Sequence, residues 1–225
     1  MFQHTSKFEL NLIGSKEIPN SICSAAIKYR ASSIVIDNPA LVPPMLATRY
    51  STKGNWKLIL AVDFPHGKQF GFANKFKSVV PQSDACDGFD ILLTLKNENE
   101  TANEIKGIVD YIGQRNSMQE IRFVIDAFSR STDQVKTMLK GIKRFPSTQI
   151  RLDHHLSLPN LEDSKIDETI KLIREYTGVS LNLSTNVTLD RMDKYKGQIK
   201  TFGVDLKAAA AIEQQLQNHD RLTVS

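Results

Sequence analysis

Cysteine is scarce in this 225-residue chain: Cys23 and Cys86 are the only two. Two thiols cannot build a disulfide framework, and an intracellular, reduced protein is expected. No segment reaches the roughly 18 to 20 consecutive apolar residues needed to span a bilayer. The opening Met-Phe-Gln-His-Thr-Ser-Lys lacks the charged-then-apolar pattern of a secretory signal, so a cytoplasmic location is expected and no membrane partner. An excess of one charge is missing too, since 29 basic residues face 25 acidic ones. The nearest thing to a basic patch is Lys140, Lys143 and Arg144. One amphipathic helix surface accounts for these three, so nucleic acid is not an expected partner. Neither a Gly-x-Gly-x-x-Gly turn, a P-loop nor a Gly-x-Ser-x-Gly elbow occurs, and no cofactor is expected. Pro/Gly/Ser linkers are absent as well. With 40% hydrophobic and 24% charged residues, the composition is that of one globular domain over 1–225.

What the chain does have is alternation. Eight short apolar runs recur: Phe8 to Ile13, Ser32 to Ile36, Trp56 to Val62, Gly88 to Leu95, Glu120 to Asp126, Gln149 to His155, Val179 to Thr185 and Gln198 to Val204. Several are too continuously apolar for a strand with one wet face, as strands covered by helices should be. Between them lie helical periods, with Ile105, Ile108, Val109 and Ile112 at i, i+3, i+4, i+7 and Ile166, Ile170 and Ile173 similarly spaced. Ala208 to Gln217 is rich in helix formers without a breaker. Strand and helix alternating eight times in this length predict an α/β fold, a compact (β/α)8 TIM barrel, with an open doubly wound sheet as the competitor.

A barrel carries its site at the C-terminal ends of its strands. The residues there are Asn11; Asp37 and Asn38; Asp63; Asp90 and Lys96; Asp126; Arg151, Asp153, His154 and His155; Asn182, Ser184, Thr185 and Asn186; and Lys200, Thr201 and Gly203. Polar side chains inside a barrel mouth are costly unless paired, so this ring points to a ligand site.

The stretch Ala61-Val62-Asp63-Phe64-Pro65-His66-Gly67 resembles the deoxyribose-phosphate aldolase family, whose third strand ends in a similar Phe-Pro-His-Gly turn. Ile34-Val35-Ile36-Asp37-Asn38-Pro39 looks like that family's second strand, and Phe202-Gly203-Val204 resembles its last, whose following turn helps hold a substrate phosphate. Asp90 falls where the family carries a strand-four aspartate used in proton transfer. The resemblance implies a class I aldolase barrel, a small phosphorylated or carbonyl ligand and a homodimer. Two departures bear on the chemistry. The family's Schiff-base lysine on strand six corresponds here to Arg151, and its second lysine, on strand seven, to Asn182. A guanidinium stays protonated and delocalised, so it offers no amine nucleophile near neutral pH. The glycine-rich turn after strand seven is replaced by Ser184-Thr185-Asn186, which weakens a backbone phosphate cradle.

Three functional classes follow. In the first, the barrel binds or transforms a small phosphorylated or carbonyl compound without the strand-six imine. Asp90 would move protons, Arg151 would clamp an anion or carbonyl with its two-pronged fork, and Asn182 and Asp126 would orient. Lys200 would be a candidate interior lysine, and Asn11, Lys96, Ser184, Thr185 and Gly203 would touch the ligand. In the second, the barrel is a pseudoenzyme, kept as a structural or assembly module for a protein partner. In the third, Asp153-His154-His155 would hold a metal for phosphoester hydrolysis, with Asp153 and His154 as ligands. The upstream His-x-x-x-Asp-x-Asp element that such enzymes need is absent. Strand-end aspartates have a plainer use as helix caps, and Asp126, ahead of Ala127-Phe128-Ser129, suits it. Both cysteines are expected to be inert.

Overall fold

The computed structural model describes residues 7–64, 85–93, 97–114, 119–142, 149–153, 161–176, 179–184 and 186–223. Eight strands form among these residues: β1 (Lys7–Asn11), β2 (Ser33–Ile36), β3 (Lys57–Val62), β4 (Gly88–Leu92), β5 (Glu120–Asp126), β6 (Gln149–Asp153), β7 (Val179–Leu183) and β8 (Thr201–Val204). Each pairs in parallel with its sequence neighbours, and β8 also pairs with β1, Lys7 lying opposite Thr201. That pairing closes the sheet and removes the open doubly wound alternative. The fold is an α/β barrel, with the helices α1 (Pro19–Lys28), α2 (Val42–Thr52), α3 (Glu98–Gln114), α4 (Thr132–Ile142), α5 (Asp163–Ile173), α6 (Leu189–Lys194) and α7 (Leu206–Thr223).

The alternation of each strand decides what lies inside and outside. Ile34, Ile36, Leu58, Leu60, Val62, Phe89, Ile91, Phe123, Ile125, Phe202 and Val204 are buried in one large cluster with the helices. At about 1.5 to 3 kcal/mol for each fully buried large aliphatic or aromatic side chain, this outer layer dominates the folding free energy. The alternate residues face the barrel axis. Val35, Ile59 and Ala61 form a separate apolar cluster there, with Ile13 and Phe64 packed against it. Five further inner positions differ in chemistry: Glu9, Ser33, Asp90, Asn182 and Thr201 are all buried and polar. Gly88 lets β4 and β5 approach closely, since a Cβ there would lie 2.5 Å from the Glu120 carbonyl oxygen.

Apart from β5, which matches its run, the strands are shorter than the apolar runs. The last run was expected to begin at Gln198, yet β8 starts at Thr201. Ile199 packs into the outer cluster and Lys200 is exposed. The amide of Lys200 donates to the Leu181 carbonyl at 2.9 Å, and its carbonyl accepts from Lys7 at 2.8 Å, so its backbone leads into the ladder. The helical periods centred on Ile105 and Ile166 become α3 and α5, and Ala208 to Gln217 lies inside the longer α7.

Candidate functional site

The barrel centre holds a charged cluster drawn from four strands. Arg122 on β5 donates to both oxygens of Asp90 on β4, from Nε to Oδ1 at 2.5 Å and from a terminal nitrogen to Oδ2 at 2.8 Å. Its other terminal nitrogen donates to Glu9 Oε2 on β1 at 3.1 Å. The Ser33 hydroxyl on β2 donates to that same oxygen at 2.6 Å. Glu9 and Asp90 are buried, and the Arg122 side chain is only 12% exposed. Buried charges are tolerated when paired and hydrogen-bonded, and one guanidinium fork here serves two carboxylates from opposite sides of the barrel. Asp90, expected to move protons, is thus engaged through both oxygens.

Glu9, Ser33 and Arg122 were not among the sequence candidates. Their signal was present: Glu9 sits between Phe8 and Leu10, and Arg122 between Ile121 and Phe123. Opposite charges in the middle of two strands buried on both faces should seek each other. All three lie away from the C-terminal strand ends, where ligand contacts concentrate.

At the C-terminal mouth the structure brings together three expected ligand-binding residues. A Cβ on Gly203 would lie 2.8 Å from Ser184 Oγ and 3.5 Å from Asn11 Cβ, so these two side chains close over the bare backbone of β8. Beside them is a cleft of about 300 Å³ lined by Asn11, Gly14, Ser15, Glu17, Asp205 and Lys207 among others. It lies between the loop after β1 and the start of α7. That helix start is where an anion would be drawn by free N–H groups and the helix dipole. Here Asp205 occupies it, its Oδ1 accepting from the Ala208 amide at 2.6 Å.

Other strand-end acids serve turns. Asp126 accepts from the Ser129 hydroxyl and, at 3.4 Å, from the Ser129 amide, which ties the loop after β5. Asp37 accepts from the Gly14 amide at 3.0 Å and links the loops after β1 and β2. Asn182 is buried on β7, opposite Thr201 of β8. Arg151 stands on β6 opposite Val124 and Ser180, and Asp153 opposite Asp126; the backbone places them, and their side chains lie outside the described structure. Lys96, His154 and Thr185 also lie outside the described residues, as does the Phe-Pro-His-Gly turn beyond Phe64.

Lys200 needs a correction. It stands exposed before the N-terminal end of β8, the end opposite the mouth, because Thr201 and Gly203 take the inward positions and Ile199 is buried in the outer cluster. At that same end Lys57 pairs with Glu120 at 2.6 Å. Burial works to raise the Glu120 carboxyl, but the Lys57 ammonium, with Arg122 and Lys7 behind it, holds it below the usual glutamate value. Burial pushes the Cys23 thiol up to about 11 and the Cys86 thiol up to about 12, which leaves both protonated and unreactive near neutral pH. Among the described residues no group of three His, Cys, Asp or Glu side chains could hold a metal ion, and no helix is long and apolar enough to cross a membrane.

No protein-family model and no curated protein sequence matches the chain. Solved structures do resemble it. The tetrameric deoxyribose phosphate aldolase from Aeropyrum pernix superimposes with a TM-score of 0.74 at 12% identity, over 95% of this chain and 90% of that one. A candidate deoxyribose-phosphate aldolase from Toxoplasma gondii ME49 gives 0.66 at 13% identity, over 93% and 91%. The aldolase QR15 gives 0.72 at 10% identity, over 99% and 100%. At such identities the likeness is one of fold, and the chemistry must be argued from the residues.

Proposed function

We propose that the chain is a diverged (β/α)8 barrel of the deoxyribose-phosphate aldolase family, one domain over its length, that performs no imine chemistry and persists as a structural or assembly module. The carrying observation is the fork of Arg122 on both oxygens of Asp90. The strand-four carboxylate that the resemblance assigns to proton transfer instead joins an arginine to Glu9 across the barrel. Arg151 and Asn182 at the two lysine positions support the same reading, and so does Asp205 in the place of a phosphate. Self-association as a homodimer belongs to this proposal, in keeping with the tetramer described for the Aeropyrum pernix aldolase. A cytoplasmic location fits its two free, buried thiols.

A second reading is favoured by the convergence of Asn11, Ser184 and Gly203 beside the 300 Å³ cleft. A small carbonyl compound would bind there, with Arg151, Lys96, Thr185 and Asn182 completing the mouth. The Asp205 carboxylate disfavours a phosphorylated one. Retro-aldol turnover tests the first reading. With 2-deoxyribose 5-phosphate and a panel of hydroxy carbonyl compounds, an inactive barrel releases no aldehyde above buffer. Turnover that disappears in Asp90→Asn would overturn the proposal.

A further inference from the structure

The face opposite the mouth carries a second cavity, of about 370 Å³, between the end of α1 and the end of α2. Its walls are the turn leading into β2, with Arg30, and the turn leading into β3, with Lys53, Gly54, Asn55 and Trp56. That volume lies in the range of small-molecule sites. Three features set it apart from an ordinary surface hollow.

The first is an orphan donor. Trp56 is 4% exposed, and its indole N–H is buried with no hydrogen-bond partner. A buried N–H normally has one. The ring cannot easily turn to find a partner, because the Arg49 guanidinium stacks over it at 5.4 Å while donating to the Trp56 carbonyl at 3.1 Å. The indole nitrogen lies against Gly54, where a Cβ would come within 2.5 Å of it. At Gly54 only glycine backbone, with no side chain, covers this N–H.

The second is charge. Arg30 and Lys53 line the cavity, and no acidic residue does among the described residues. Neither side-chain cation has a hydrogen-bond or ion-pair partner among the described residues. Both sit in the left-handed region, at φ 52° and 53°, where glycine or asparagine is the usual choice. Basic residues at helix ends also favour the helix dipole, but that would not require both to border one cavity. The third is the apolar floor of Ala26, Ile27 and Ala31.

We propose that this cavity is a binding site for a small organic oxyanion with an apolar body, a carboxylate or phosphate monoester. One ligand oxygen would accept from the Trp56 indole N–H once the covering Gly54 backbone shifts aside, the charge would rest between Arg30 and Lys53, and the hydrocarbon part would cover Ile27. The site lies on the face away from the barrel mouth and does not depend on what the mouth does.

The chain has one tryptophan, so its indole N–H gives a single cross-peak in the 15N-labelled protein. Titration with hexanoate and with butyl phosphate, against chloride at equal ionic strength, should move that peak downfield and saturate. Inorganic phosphate, which lacks the apolar body, should bind more weakly. The variant R30N/K53N removes both charges while asparagine accepts the left-handed backbone, and should weaken binding about tenfold or more. The single variants R30N and K53N serve if the double variant does not fold. A peak that stays still with both probes, or that moves with equal affinity in the charge-removed variants, would overturn the proposal.

Discussion

Arg122 is the residue on which the barrel interior turns. Among the described residues it pairs with both Glu9 and Asp90 in a region nearly closed to water. Removing one partner of a buried ion network leaves the others charged and desolvated, which costs far more than the network itself contributes. Arg122→Met should therefore destabilise the protein by about 3 to 5 kcal/mol in urea denaturation. Adding Glu9→Gln and Asp90→Asn to that variant should restore much of the loss, because both orphaned charges are then gone. A loss below about 1 kcal/mol for Arg122→Met would mean that water or another group already compensates the carboxylates. Sequence reading located Asp90 but not its partners. A strand-end search finds residues that meet a ligand, whereas Glu9 and Arg122 lie one strand turn deeper, where the pairing of buried charge is the signal.

At the scale of elements, strands and helices follow from apolar periodicity, and their limits follow from side-chain chemistry. The runs at Phe8, Trp56 and Glu120 became β1, β3 and β5 nearly as expected. Lys200 misled because alternation with Ile199 leaves its facing open; the burial of Ile199 decides it. Helix caps were not legible. Asp126 ties the loop at Ser129 and does not cap α4, which begins only at Thr132, and the Asp205 cap at the start of α7 was not read at all. Asp205→Ala should cost about 1 kcal/mol by freeing the Ala208 amide. It should also open the helix start to an anion. Thermal melts in inorganic phosphate, referred to chloride of equal ionic strength, should then show a larger gain for the variant than for the wild type. An equal gain would mean that the Asp205 carboxylate does not fill an anion site.

The whole molecule sets a buried ion network inside an α/β barrel. Closure of the sheet through β8 and β1 fixes where every strand end lies, and so makes Arg151 and Asn182 meaningful positions despite 9 to 14% identity to the aldolase structures it resembles. The scaffold was legible because helix-covered strands leave a strong apolar signature. The interior ion network was not legible, since it joins residues far apart in sequence. The most direct measurement is reductive trapping with borohydride across a panel of aldehydes and sugar phosphates, read by intact mass and peptide mapping. A barrel without imine chemistry keeps the 25.3 kDa mass of the chain, apart from the scattered lysine labelling that a urea-unfolded control also shows. A saturable adduct on one lysine of the folded protein, Lys96 above all, would contradict it and return the barrel to the working aldolases.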